Sequence, residues 1–354
     1  MTGLKLTVYF GERDRAGGDL AARRLGELFA REGVRLAVLL RGIEGFGLKH
    51  ALQTHRVLTL SEDLPLVWVA IDTPERIHEV TRQVDQLLPH GLVTLERAQV
   101  GDRAADLAID GEEAAKLTIY CGRGERSNGA LAYHAVVDRL RDRGVEGASV
   151  LLGVDGVRSG IRRRPRLIGT NRDVPVMIIA VGSRERLAGA LPALDEMLDR
   201  PLLTLERVRI LKQDGVPVAP LLTPPAEDPE GLGLWHKVMV FTGEDAQAPG
   251  GHGPLYAELL RALKRAGAGG GTVLGGVWGY SGSGPAHGDR FFSLRRRVPV
   301  VCVCVDRPQR VAELWPTIDA MTSHSGLVTG EFVPAFRAAG PNGRVGGLQL
   351  AEIP

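Results

Sequence analysis

Hydrophobic and polar positions alternate at the start of the chain: Leu4, Leu6, Val8 and Phe10 are separated by Lys5, Thr7 and Tyr9. A period of two places the first set on one face of a β-strand that ends near Gly11. The period then becomes helical. Ala21, Leu25, Leu28 and Phe29 share one face, and Gly33 is the C-terminal stop. Alternation returns over residues 34–40 and breaks off in a stretch holding Gly42, Gly45 and Gly47. Residues 66–71 are continuously apolar, the pattern of a central strand buried on both faces. Thr73 and Pro74 open a second helix as N-cap and first helical residue, with Ile77, Val80, Val84, Leu87 and Leu88 along its apolar face. A last strand is predicted over residues 92–100.

The same order recurs twice. Lys5-Leu6-Thr7-Val8-Tyr9 returns as Lys116-Leu117-Thr118-Ile119-Tyr120 and as Lys237-Val238-Met239-Val240-Phe241. Leu92-Val93-Thr94-Leu95-Glu96 returns as Leu202-Leu203-Thr204-Leu205-Glu206 and, more diverged, as Leu327-Val328-Thr329-Gly330-Glu331. Gly144 and Gly267 stop the helices equivalent to the one ended by Gly33. Repeats of roughly 100 residues are whole domains rather than solenoid units. The sequence divides into copies at 1–101, 113–211 and 234–337, with a stiff linker at 212–233 containing Pro217, Pro220, Pro224, Pro225 and Pro229, and a flexible tail at 338–354. A β-α-β-β-α-β order is the split βαβ arrangement of ferredoxin-like domains. The expected class is α+β: three tandem ferredoxin-like (βαββαβ) domains, their sheets packed around a pseudo-threefold axis as an intramolecular pseudo-trimer, monomeric in solution.

Composition narrows the function. The 354 residues are 44% hydrophobic and 24% charged, with a net charge of +2. That balance fits a globular protein and lacks the basic field of a nucleic-acid binder. No apolar run reaches the roughly 20 residues of a membrane span. Three cysteines, Cys121, Cys302 and Cys304, form neither a disulfide framework nor a zinc pattern, and a cytoplasmic setting is expected. Cys302 and Cys304 share one strand face and read as small buried apolar groups.

The first copy carries Lys5-Leu6-Thr7-Val8-Tyr9-Phe10-Gly11-Glu12, Leu40-Arg41-Gly42-Ile43-Glu44-Gly45-Phe46-Gly47 and Leu60-Ser61-Glu62-Asp63-Leu64-Pro65-Leu66-Val67. These stretches resemble the domain of unknown function 190 family, whose members are similar to PII signalling proteins. The resemblance implies ferredoxin-like domains in a threefold arrangement, small effectors (often adenine nucleotides) bound in the clefts between neighbours, and a loop after the second strand that signals to a partner such as a membrane transporter or channel. The second copy departs at Leu152, Val157 and residues 170–175, and the third at residues 295–299.

Candidate effector-binding residues follow from the loop. Gly42, Gly45 and Gly47 can present backbone N–H groups to an anion, with Arg41, Lys49 and His50 supplying charge and Glu44 among them. Gly153 and Gly156, then Gly276 and Gly279, are the counterparts in the other copies. Arginines 162–164 and 166, and 295–297, are either phosphate or acidic-partner sites or solvated faces. No P-loop, Ser-His-Asp elbow or other catalytic grouping is legible, so no catalytic residue is assigned. The leading reading is a PII-like regulatory protein sensing a small anionic effector. The alternatives are an enzyme acting on a nucleotide in the clefts, and a CutA-like metal-binding or structural module in which His252 and His287 could meet.

Overall fold

The computed structural model describes residues 1–47, 53–54, 63–88, 90–109, 114–163, 174–199, 201–223, 234–251, 253–281, 287–288, 298–339 and 343–348. Apart from two-residue strands, copy one contributes β1 (Thr2–Gly11), α1 (Ala21–Arg31), β2 (Leu36–Phe46), β3 (Pro65–Asp72), α2 (Pro74–Leu87) and β4 (His90–Gly101). Copy two contributes β5 (Ala114–Gly122), α3 (Ala132–Asp142), β6 (Gly147–Leu152), β7 (Asp155–Arg158), β8 (Pro175–Ser183), α4 (Arg184–Met197), β9 (Leu202–Arg207) and β10 (Arg209–Gln213). Copy three contributes β11 (Leu234–Gly243), α5 (Leu255–Arg265), β12 (Gly271–Gly275), β13 (Trp278–Ser281), β14 (Pro299–Asp306), α6 (Pro308–Met321), β15 (Leu327–Ala339) and β16 (Arg344–Gly347).

Local chemistry sets the helix ends. Thr73 and Ser183 each accept a hydrogen bond from the backbone N–H three residues on, at 3.4 Å, capping α2 and α4. Gly33, Gly144 and Gly267 follow α1, α3 and α5 with φ of 68°, 73° and 80°, the left-handed conformation that a side chain resists.

The expected architecture of three tandem ferredoxin-like domains forming a pseudo-trimer is corrected by the strand pairing. The copies do not stand as separate domains; all their major strands belong to one antiparallel sheet. Within copy one the order is β2-β3-β1-β4, and both edges continue into other copies. β4 pairs with β9 of copy two and with β15 of copy three. β2 pairs with β7 of copy two and with β12 of copy three. Eight strands, β4-β1-β3-β2-β12-β14-β11-β15, return to β4 and close a barrel. Copy two extends the same sheet through β9–β4, β10–β15 and β6–β13. The physical reason is edge satisfaction: a lone four-stranded unit exposes two rows of unpaired backbone groups, and closure removes them.

The predicted strand over residues 34–40 also proves longer, because β2 runs through the glycines to Phe46. Its first half pairs with β3 of its own copy up to Arg41, and its second half, from Gly42, pairs with copy three. The helices lie outside, and each copy's helix pair covers its own part of the sheet, as Leu25, Phe29, Ile77 and Val80 do against Leu6 and Trp68. A further core holds residues of all three copies, among them Val38, Val69, Tyr120, Ile179, Met239 and Val303. Cys302 and Cys304 are buried and free in copy three's own core, where burial pushes both thiols up, Cys304 to about 12. Among the described residues, no helix is long and apolar enough to cross a membrane.

Candidate functional site

The strand-exit glycines stand where strands change partners. A Cβ on Gly42 would lie 2.6 Å from the Pro65 ring and 2.9 Å from the Val273 carbonyl oxygen. At Gly153 it would meet the Pro175 oxygen at 2.5 Å and Val38 at 2.8 Å; at Gly276, Pro299 at 2.6 Å and the Val150 oxygen at 2.9 Å. Gly45, Gly156 and Gly279 are crowded by the same three prolines. All but Gly153 also meet a carbonyl oxygen of a neighbouring copy, and Gly153 meets the Val38 side chain of one. Arg41 pairs with Glu12 at 2.9 Å, and Glu44 is buried within β2. Lys49, His50, His252, residues 164–166 and 295–297, and the rest of the loop after Gly47 lie outside the described residues, apart from residues 53–54 and the backbone of His287. Arg162 does not face solvent as a free cation: it pairs with Asp155 at 2.6 Å and donates to the Arg23 carbonyl at 3.2 Å.

Gly47 does line a cavity. It is a half-open pocket of about 140 Å³ where the ends of β1 and β2 and the start of β4 in copy one meet β12, β14 and β15 of copy three. Phe10, Phe46, Val303 and Val305 give it apolar walls, and Gly91 and the run Gly269-Gly270-Gly271 give it backbone surface. Copies one and two have Arg35-Leu36-Ala37 and Glu146-Gly147-Ala148 at the positions of that run. Asp14 and Asp63 also line the cavity, and each is held by backbone amides of the turn after β1: Gly11 N–H at 2.8 Å and Arg13 N–H at 2.6 Å.

Arg337, near the end of β15, is the cation of the cavity and also lines an outer groove with Trp235, Arg307 and Arg310. Its guanidinium lies 4.9 Å from the Trp235 ring centroid. Its nearest carboxylate among the described residues is Asp306, at 3.9 Å, too far for a hydrogen bond. The Asp306 oxygens are already engaged by Gly269 N–H at 2.7 Å and Arg307 N–H at 2.9 Å. Burial lowers the Arg337 pKa below its usual value, with Asp306 opposing. The side chain is thus a partly buried cation whose donors make no hydrogen bond among the described residues. Periodicity does not reveal it; the departure of Gly269-Gly270-Gly271 from the repeat pattern is the trace that sequence offered.

A second cluster lies at the centre of the molecule. Lys5, Lys116 and Lys237 stand directly across from Glu96, Glu206 and Glu331 on the paired strands. Each lysine also reaches the glutamate of another copy: Lys5 to Glu206, Lys116 to Glu331 at 2.6 Å, and Lys237 to Glu96 at 2.9 Å. The result is a closed ring of six alternating charges. Burial raises the glutamate pKa values, but the lysines outweigh it and leave Glu96 and Glu331 below the usual range. Burial likewise lowers the lysines, yet the carboxylates carry all three above 10.5. The three carboxylates approach within 4.8 Å of one another, a spacing that suits a cation. Three ammonium groups already neutralise them, so the ring holds the copies together rather than offering a metal site.

A repeat-built closed sheet with a glycine-lined cavity at one junction between copies is the class of protein defined so far. The chain belongs to the domain of unknown function 190 (DUF190) family, described as "Uncharacterized ACR", which matches residues 3–100, 114–210 and 235–335. UPF0166 protein MJ1524 of Methanocaldococcus jannaschii is 32% identical over 74 residues, which are 21% of this chain and 68% of that protein. At the level of the family, the chain is a PII-like regulatory protein built of internal repeats. Among solved structures, an aspartate kinase from Synechocystis matches with a TM-score of 0.24 and 13% identity, over 95% of this chain and 44% of that one. A putative chlorite dismutase, TA0507, matches with a TM-score of 0.19 and 10% identity, over 58% of this chain and 94% of that one. Neither likeness is close enough to bear on fold or function.

Proposed function

We propose that this PII-like protein binds a small anionic effector, an adenine nucleotide being the first candidate, in the cavity between copies one and three. The observation that carries the reading is Arg337: a half-buried guanidinium beside an apolar, glycine-lined cavity, with no hydrogen bond to any described residue. A pocket with apolar walls and a few convergent polar groups suits a flat ring with a charged appendage. Phe10 and Phe46 supply the wall for a ring, and Arg337 supplies planar, bidentate donors for phosphate. Gly47, the residue from which the signalling loop of the family resemblance departs, lines the cavity, so an occupant there would lie at the root of that loop. Isothermal calorimetry against ATP, ADP, AMP and a cyclic nucleotide tests this. Saturable binding of at least one is expected, weakened roughly 10- to 100-fold in Arg337→Gln, the loss of a hydrogen bond to a charged group. Failure of all four to bind, or equal affinity in the variant, would overturn it.

A further inference from the structure

We infer that the chain has one working effector site rather than three: only the junction of copies one and three offers an anion an unengaged cation, and at the two equivalent junctions that cation is replaced or already engaged. The inference rests on the reading of the Arg337 cavity as the effector site. Arg337 stands six residues beyond the repeat glutamate Glu331; the residues six beyond Glu96 and Glu206 are Asp102 and Lys212. Each lies where its copy's last strand meets the next copy.

At the junction of copies one and two the cation is replaced by an anion. Asp102 pairs with Arg35 at 2.6 Å, and Arg35 occupies the position that is Gly269 in copy three. The neighbouring Leu36, in place of Gly270, is buried in the central core. A groove remains there, but Asp102, Asp106 and Asp195 line it, so a phosphate would face three carboxylates and find the arginine engaged. At the junction of copies two and three the cation is present but used: Lys212 is buried and donates to the Asp319 carboxylate at 2.6 Å and to the Asp319 carbonyl at 2.7 Å. Glu146 stands at the Gly269 position, pairing with Arg186 at 3.0 Å. Only the Arg337 junction combines three consecutive glycines with a cation free of hydrogen bonds among the described residues. Fusing three copies into one chain permits this division, because each junction carries its own sequence.

The test is the stoichiometry of nucleotide binding to the full chain, measured by calorimetry with ATP, ADP, AMP and a cyclic nucleotide as probes. One nucleotide per chain is expected, and Arg337→Gln is expected to weaken all of the binding. Gly270→Leu is a second variant. Gly270 lines the cavity, and an added Cβ would meet nothing nearer than the Phe46 carbonyl oxygen at 3.4 Å, so it obstructs the site without removing a charge. It should abolish binding while leaving the melting temperature near that of the parent. A stoichiometry near three, or two equivalents retained in both variants, overturns the inference and leaves the nucleotide reading standing. Absence of binding by every probe overturns both.

Discussion

At His236 the third copy departs from the other two in a way that titrates. Leu4 and Ala115 hold the equivalent position, and Leu95 and Leu205 stand where copy three has Gly330. The glycine makes room for the imidazole: a Cβ at Gly330 would lie 2.8 Å from His236 Nε2. The ring sits 5.0 Å from Phe332 and is fully buried, and burial pulls its pKa down to about 4, against a weaker upward pull from Glu331. His236 is therefore neutral in the fold, and an unfolded chain protonates it near 6.5. Its contribution is present above pH 6.5 and is lost as pH falls from 6.5 towards 4, by up to about 3 kcal/mol. His236→Leu should flatten the urea-stability profile between those pH values; an unchanged slope would contradict the assignment. The more diverged closing strand was legible in sequence, whereas its cause, a histidine on the adjacent strand, was not.

Among the elements, β2 shows what periodicity can and cannot say. Its alternating half was read correctly as a strand, and its glycines were read as an exit to a loop. In the structure they are the point where β2 leaves β3 for β12, and the alternation that marks a strand does not encode which strand pairs with it. The repeated pairing of a glycine with Pro65, Pro175 or Pro299 was the legible trace of that close passage. Gly153→Ala should cost about 1–3 kcal/mol, the range for forcing atoms into a packed interior, because its Cβ would press on the Pro175 oxygen and on Val38. Gly47→Ala meets no atom within 4 Å and should change stability by less than about 0.5 kcal/mol. Chemical denaturation of both variants compares a crossover glycine with a cavity glycine; equal losses would contradict the distinction.

Over the whole molecule, the six-charge ring ties the three copies into one folding unit. Its residues were visible as a lysine in each first strand and a glutamate in each last one. Seeing a ring required knowing that the sheet closes, and closure depends on edge pairing between residues far apart in sequence. Lys116→Met removes one ammonium from between Glu206 and Glu331 and should cost about 3–5 kcal/mol in denaturation, as breaking a buried pair does. The depressed Glu96 and Glu331 stabilise above pH 4.5 and lose that contribution as pH falls below it; the raised lysines stabilise below pH 10.5 and lose it as pH rises beyond. Between these limits the ring's own contribution should be level. The same closed sheet brings Gly269-Gly270-Gly271 and Arg337 of copy three against copy one, so the effector cavity follows from how the copies join. A crystal structure of the full chain grown with ATP tests that claim most directly. One nucleotide is expected beside Gly270, with phosphate oxygens within hydrogen-bond distance of Arg337. A nucleotide at the Asp102 or Lys212 junction instead, or one bound away from Arg337, would contradict it.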